Sequence, residues 1–183
     1  MKKRSPPDSG NFALKKTMHT NPWSEFKLRV NIRTDIRKAF ECFTTPGGLE
    51  SWFLRQATFE NAAGDVRRKD EPVQEGDTYV FYWHGYPDTA VEKGKVLSTN
   101  GENRFTFTFS HNCPVTISIY PECGETIVEL VESNLPTDEA TMMRHYVGDS
   151  KGWIFYLTNL KSVLETGYDL RNRKLELTDV ITA

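Results

Sequence analysis

Residues 149–165, with the sequence DSKGWIFYLTNLKSVLE, form the stretch that decides the fold. At about 100° per residue, a helix over this stretch carries its apolar side chains on one face and most of its polar ones on the other. Asp149 or Ser150 can cap the first turn, and Gly167 can adopt the left-handed conformation that ends a helix. We therefore predict an amphipathic helix that needs an apolar surface to pack against. Its apolar face carries Trp153, Tyr156, Leu157, Leu160, Val163 and Leu164.

The chain before this helix is predicted to supply an antiparallel sheet. Its segments alternate apolar and polar residues with a period of two, which is typical of half-buried strands. Turn signals such as Asn100 followed by Gly101 separate them. The predicted strands span residues 25–33, 56–60, 78–84, 90–98, 104–110, 115–119 and 126–132.

Two short helices are predicted between the first and second strands. Thr34 or Asp35 can cap the first, and a Pro46-Gly47-Gly48 break separates it from a second helix over residues 49–53. A further short helix is predicted over residues 139–147, before the long one. This order of elements predicts an α+β fold, with helices on one face of a curled antiparallel sheet.

Charge and composition disfavour several classes of protein. A formal net charge of −2 over 183 residues lacks the basic excess of nucleic-acid-binding proteins. No apolar run approaches the roughly 18 residues of a membrane-spanning helix. The three cysteines, Cys42, Cys113 and Cys123, show no spacing typical of a zinc site or a disulfide framework. We expect a cytoplasmic protein that uses no metal or cofactor and binds no nucleic acid.

Three regions are expected along the chain. Residues 1–22 carry five basic side chains against one acidic one and are predicted to be a flexible basic tail. Residues 23–167 are expected to form the folded domain. Residues 168–183 mix charged and apolar side chains and are expected to be a C-terminal extension that docks on the domain or on another subunit.

Four groups of residues occur in an order and at spacings that resemble a known family. They are Phe40 through the turn at residues 45–49 to Trp52 and Phe53; Gly76 and Asp77 before Tyr79, Phe81 and Trp83; residues 94–97 before Phe105; and Gly152 with Trp153. Together they resemble the START-like superfamily, also called SRPBCC. Within it they are similar to the branch named after the activator of the heat-shock protein 90 ATPase. The resemblance covers about residues 25–167 and implies a helix-grip fold, in which the sheet wraps around the long C-terminal helix. It also implies a non-polar cavity between sheet and helix, used in different members for lipids, hydrophobic metabolites, polyketides or partner proteins.

The predicted ligand cavity is lined by large apolar side chains from the helices and strands. Core packing alone explains the same set, so both interpretations stay open. Orienting polar groups could come from Tyr79, Tyr82, His84, His145 and Tyr156. The twelve predicted cavity residues are Trp52, Phe53, Tyr79, Phe81, Trp83, Phe105, Phe107, Phe109, Trp153, Tyr156, Leu157 and Leu160.

We expect non-enzymatic binding of a small hydrophobic molecule such as a lipid. A stress-linked chaperone cofactor and a cyclase-like enzyme are the alternatives. No nucleophile elbow, phosphate-binding loop or zinc-protease motif occurs, and Glu129 and Glu132 are interpreted as the solvated side of a strand. Phe155 is predicted to point away from the apolar face, so a protein partner or a second copy could cover it together with residues 168–183.

Overall fold

The computed structural model describes residues 21–177 and 180–181. In this part of the chain the strands are β1 (Glu25–Ile32), β2 (Gln56–Glu60), β3 (Thr78–Tyr82), β4 (Val91–Thr99), β5 (Arg104–Phe109), β6 (Cys113–Glu122) and β7 (Glu125–Ser133). The helices are α1 (Ile36–Thr44), α2 (Pro46–Trp52), α3 (Glu139–Met142) and α4 (Ser150–Thr166). A π-helical segment, Met143–Asp149, joins α3 to α4.

The seven strands form one antiparallel sheet in the order β1-β7-β6-β5-β4-β3-β2. Strands β2 to β7 form a meander, and β1 pairs with β7 from the other side. The first two strands of the chain therefore lie at opposite edges of the sheet, and α1 and α2 connect them. The predicted α+β fold, with a curled sheet and a long C-terminal helix, is confirmed.

The entrance to α1 is set by Asp35, whose side chain accepts a hydrogen bond from the Lys38 amide at 2.8 Å. The predicted break after α1 is present at Thr45, but α2 begins earlier than predicted, because Pro46 occupies its first turn, where a missing amide hydrogen costs nothing. Gly48 allows α1 and α2 to meet, since a Cβ at this position would lie 2.2 Å from the Glu41 carbonyl oxygen. The two helices thus form a tight corner.

The long helix α4 begins at Ser150, within the predicted stretch, but the predicted cap at Asp149 or Ser150 is not formed. Asp149 has helical backbone angles and makes no side-chain capping bond, because helical structure runs without a break from Glu139 to Thr166. The cap lies earlier, at Asp138, whose carboxylate accepts from the Thr141 amide. The predicted end is confirmed, since Gly167 adopts a φ of 77°.

The long helix packs directly on the concave face of the sheet. The Trp153 ring lies 5.1 Å from that of Phe109 and 6.4 Å from that of Phe107, measured between centroids. Phe53 from α2 joins them, with its centroid 5.0 Å from Trp153. The apolar face of α4 therefore meets a surface built from strands and from α2, as its pattern predicts.

The segment after α4 folds back over α2. Arg171 donates to the carbonyl oxygens of Glu50, Ser51 and Leu54 at 2.9–3.0 Å, where the last carbonyls of α2 lack helical partners. Asp169 accepts from the same guanidinium at 2.8 Å. Only 2% of the Arg171 side chain is exposed. Part of the expected C-terminal extension is thus packed on the domain, whereas most of the expected basic tail lies outside the described residues.

A fully buried amide connects this segment to the core. Asn159 donates to the Trp52 carbonyl oxygen at 2.6 Å and accepts from the Leu170 amide at 2.7 Å. The predicted outward orientation of Phe155 needs correction, because this side chain is half buried and packs against the core. The neighbouring Ile154 is the exposed one, with 53% of its surface accessible. The apolar surface offered to a partner by α4 is therefore smaller than predicted.

Candidate functional site

A cavity of about 330 Å³ lies between the sheet and the start of α4. Strands β3 and β5 end at it, and α2, the π-helical segment and α4 close its other sides. Two glycines, Gly148 and Gly152, form part of its helical wall, so no side chain from these positions fills it. Six aromatic side chains line it: Phe53, Trp83, Tyr86, Phe109, Trp153 and Tyr156.

Five of the twelve predicted cavity residues are in this lining: Phe53, Trp83, Phe109, Trp153 and Tyr156. The other seven are buried in the core around it: Trp52, Tyr79, Phe81, Phe105, Phe107, Leu157 and Leu160. Core packing and a cavity therefore share one continuous aromatic cluster. Whether a ligand occupies the cavity stays a prediction.

Phe53 lies at the centre of the aromatic cluster, because it follows α2 and faces both the sheet and α4. Its ring makes edge contacts with Tyr156 at 4.7 Å and Trp83 at 6.0 Å, and it stacks on Trp52 at 5.3 Å. Trp52 is itself fixed, since its indole nitrogen donates to the Cys42 carbonyl oxygen at 3.0 Å. Phe53 therefore connects the cavity lining to the aromatic core behind it.

A buried carboxyl group stands behind this wall, contrary to the interpretation of Glu132 as solvated. Glu132 is 0% exposed, and the Trp153 indole nitrogen donates to its Oε2 at 2.9 Å. Its Oε1 has no hydrogen-bond partner among the described residues. The signal for this position was present in the sequence, because Val128, Leu130 and Glu132 share one face of β7. By the same alternation, Glu129 points to the opposite face.

Burial first, and then the nearby negative charges of Asp149 and Glu92, together raise the pKa of Glu132 to about 8 against the opposing effect of the Trp153 hydrogen bond. Burial also raises the pKa values of Asp149 and Glu92. No Lys or Arg forms an ion pair with any of these three carboxyl groups in the described ranges. The protein therefore holds three acids in one partly buried group without a permanent positive charge beside them.

Asp149 is the member of this group that reaches the cavity. It lies in the π-helical segment, a rare conformation that often marks functional sites. Its Oδ2 is 3.6 Å from Nδ1 of buried His145, and Ser110 Oγ is 3.3 Å from the same nitrogen. Because both neighbours meet one ring nitrogen, the three residues do not have the arrangement of a serine-hydrolase triad, which uses both nitrogens.

The turn between β5 and β6 carries part of this polar group in an uncommon conformation. Ser110, His111 and Asn112 have φ values of 34°, 62° and 62°, which residues other than glycine rarely adopt. The His111 ring packs edge-on against that of His145, with centroids 4.2 Å apart. Strained backbone of this kind tends to concentrate at functional sites. No motif in the sequence connects His111 with His145.

The remaining polar candidates lie elsewhere. Tyr79 donates from its hydroxyl group to the Thr108 carbonyl oxygen across the sheet, and burial raises its pKa. Cys42 is buried, which raises the pKa of its thiol to about 11 and keeps it protonated. No cluster of three potential metal ligands occurs within residues 21–177 and 180–181. A second pocket of about 720 Å³ lies between α1 and the turn at residues 99–102, and none of the twelve predicted residues lines it.

A family model with the description "Activator of Hsp90 ATPase homolog 1-like protein" matches residues 33–165. The chain belongs to this family. The match confirms the resemblance and includes every residue of the aromatic cavity wall. The segment that packs Arg171 against α2 lies outside it. A comparison with curated protein sequences gives no match.

Solved structures show the same fold for this AHSA1-like chain. A Staphylococcus saprophyticus protein superposes with a TM-score of 0.63 at 19% identity, over 81% of this chain and 96% of that one. A protein from Nitrosomonas europaea gives 0.61 at 14% identity, over 81% and 100%. The Aha1 dimer from Colwellia psychrerythraea gives 0.59 at 17% identity, over 78% and 97%. At these identities the likeness concerns the fold alone. Within the described residues, no helix is long and apolar enough to cross a membrane.

Proposed function

We propose that this AHSA1-like protein binds a small hydrophobic molecule non-covalently between its sheet and α4. The observation that supports this most directly is the aromatic cavity of about 330 Å³, which falls in the range of small-molecule sites. Burial of apolar ligand surface against the rings drives binding. Asp149 and Tyr156 are the polar groups in the lining that fix the orientation of the ligand.

The cavity offers a clean way to test this proposal. A Cβ added at Gly152 meets no atom within 4 Å, so the side chain of Gly152→Leu extends into the cavity. The matched control is Thr158→Leu, which adds an apolar side chain on the exposed face of the same helix.

Binding of a neutral solvatochromic naphthalene dye is followed by fluorescence, and native mass spectrometry looks for a molecule retained by protein purified from its own cells. We expect Gly152→Leu to weaken dye binding by about tenfold or more, because displaced apolar contacts are worth about 1.4 kcal/mol or more. Thr158→Leu keeps the affinity of the wild type. Equal binding by all three proteins, or no binding by the wild type together with no retained molecule, overturns the proposal.

Acid–base catalysis in the same cavity is a second candidate, favoured by Asp149, which lines the cavity and whose pKa is raised by burial. NMR spectra of the molecule before and after incubation with the protein separate the two functions. An unchanged molecule supports binding alone. A chemical change that Asp149→Asn abolishes supports catalysis.

The chaperone-cofactor hypothesis remains a prediction. The family description names an Hsp90 ATPase activator, and the Colwellia relative is described as a dimer. The predicted basic tail, residues 1–22, lies almost wholly outside the described residues.

A further inference from the structure

We propose that the cavity selects an amphipathic organic cation, a protonated amine carried on an apolar body. This inference rests on the proposed function and specifies its class of ligand. The amine lies against the aromatic wall beside Asp149, and the apolar body fills the rest of the cavity.

The composition of the wall is the first argument. Six of the eleven lining residues are aromatic, and two of these six are tryptophans, Trp83 and Trp153. The face of an aromatic ring carries partial negative charge and attracts a cation within about 6 Å, most strongly for tryptophan. Aromatic rings that surround a small space are the usual recognition device for alkylated ammonium groups. Only two aliphatic side chains, Ala90 and Val91, accompany these rings in the lining.

The uncompensated carboxyl groups are the second, independent argument. Glu132 is fully buried behind Trp153, and its Oε1 has no hydrogen-bond partner in the part of the chain that the structure describes. Asp149 lines the cavity, and its buried Oδ2 also lacks a hydrogen bond there, with the His145 ring 3.6 Å away. Buried acids without partners are costly, so they persist where something else completes them. A ligand ammonium group in the cavity lies beside Asp149 and brings a positive charge to this group of acids, which has no Lys or Arg partner among the described residues.

The arrangement also discriminates against other ligands. An anionic head group beside Asp149 meets like charge, which disfavours binding. A neutral ligand gains the apolar contacts but leaves the carboxylate uncompensated. The volume of about 330 Å³ equals the share of roughly eleven liquid water molecules, which suits one or two fused rings with a short side chain.

Three probes with one naphthalene body test the proposal by calorimetry at neutral pH with the full chain. They are 2-(1-naphthyl)ethylamine, 2-(1-naphthyl)ethanol and 3-(1-naphthyl)propanoate, which are cationic, neutral and anionic. We expect the amine to bind about tenfold or more tighter than the alcohol, and the acid to bind weakest, since a desolvated cation beside rings and a carboxylate gains at least a factor of this size.

The variant Asp149→Asn keeps the shape of the side chain and removes its charge. We expect it to bind the amine and the alcohol with nearly equal affinity. Glu139→Gln is the matched control, because it removes one acid from an exposed position of the same helical run and leaves the tenfold preference intact.

The possible results of these binding measurements separate the cation proposal, the proposed function and the role of Asp149. If all three probes bind the wild type equally, or the acid binds best, the cation proposal fails while the hydrophobic cavity stands. If none of them binds, the proposed function itself fails. If Asp149→Asn retains the amine preference, the proposed role of this carboxylate is wrong. The wild-type series decides the class of ligand even if a variant does not fold.

Discussion

Replacing Glu132 with Gln tests directly how the protein tolerates a buried acid. The amide presents one acceptor and one donor, as the protonated carboxyl group does, so the Trp153 indole nitrogen keeps its acceptor. What the change removes is the ability to ionise. The stabilities of the two proteins are therefore expected to differ only at pH values where the wild-type carboxyl group has begun to ionise.

The sign and size of the effect follow from the pKa of Glu132. Its ordinary value of 4.5 in the unfolded chain rises to about 8 in the folded protein. Between these values the folded state holds a proton that the unfolded state has released, so the free energy of unfolding of the wild type falls as the pH rises. The full difference is worth about 5 kcal/mol, an upper bound, because rearrangement and water entry reduce it. Below pH 4.5 this contribution to stability is complete, and above about pH 8 it is lost.

Urea denaturation followed by tryptophan fluorescence, from about pH 5 to about pH 9, measures this difference. We expect Glu132→Gln to match the wild type near pH 5 and to exceed its stability by several kcal/mol near pH 9. Asp149 and Glu92 titrate beside this position, and Cys113 also feels its charge, so the full curves are compared rather than one midpoint.

The control is Glu129→Gln, on the same strand, where the carboxylate accepts from the Tyr120 hydroxyl group and pairs with Lys27 at 3.3 Å. The reasoning is refuted if the two variants show the same pH dependence relative to the wild type. It is also refuted if Glu132→Gln is destabilised equally at every pH.

Three further predictions concern the frame around the cavity, each measured as a free energy of unfolding in urea. Gly152→Ala is expected to stabilise the protein by about 0.5–1 kcal/mol, because a helical Cβ there meets open space. Gly94→Ala is expected to destabilise it by about 1–3 kcal/mol, because the new Cβ would lie 2.5 Å from two side-chain oxygens. If both glycine variants lose stability, or both gain it, the surroundings inferred for the two glycines are wrong. Arg171→Ala is expected to cost about 3 kcal/mol of stability, since three carbonyl groups near the end of α2 lose their donor. The control, Arg173→Ala at an exposed side chain, should cost less than about 0.5 kcal/mol. Equal losses in the two variants would show that the C-terminal segment does not stabilise α2. Asn159→Ala is expected to cost about 2–3 kcal/mol, because it leaves two buried backbone groups without partners, and a loss below about 0.5 kcal/mol would exclude that role.

The strands and the apolar face of α4 were predictable because local periodicity records which side of an element is buried. Strand β1 spans Glu25–Ile32 and β5 spans Arg104–Phe109, each within a residue of the predicted bounds. A two-residue alternation leaves little freedom, because a shift by one residue would move every apolar side chain into water. The same rule placed Glu132 inside, and the error arose from weighing its charge above its register.

The start of α4 was not predictable in the same way. Gly148 and Gly152 flank the entry to α4, yet helical structure continues through both, with Gly148 in the π-helical segment and Gly152 in α4. Such a segment is defined by backbone hydrogen bonds one residue longer than those of an α-helix, which no side-chain pattern records. The two glycines instead leave space beside Trp153, and that space became part of the cavity.

The sequence by itself determined the fold class, the aromatic content of the core and the helix that covers the sheet, because each depends on periodicity within one element. Only the tertiary structure decided which aromatic rings enclose empty space and which fill the core, because Phe53, Phe109 and Trp153 come from elements far apart in the chain. It also decided that Glu132 and Asp149 lie near one another without a permanent cation. Electrostatic partners are set by distance in space and by burial, and neither is written in the order of residues.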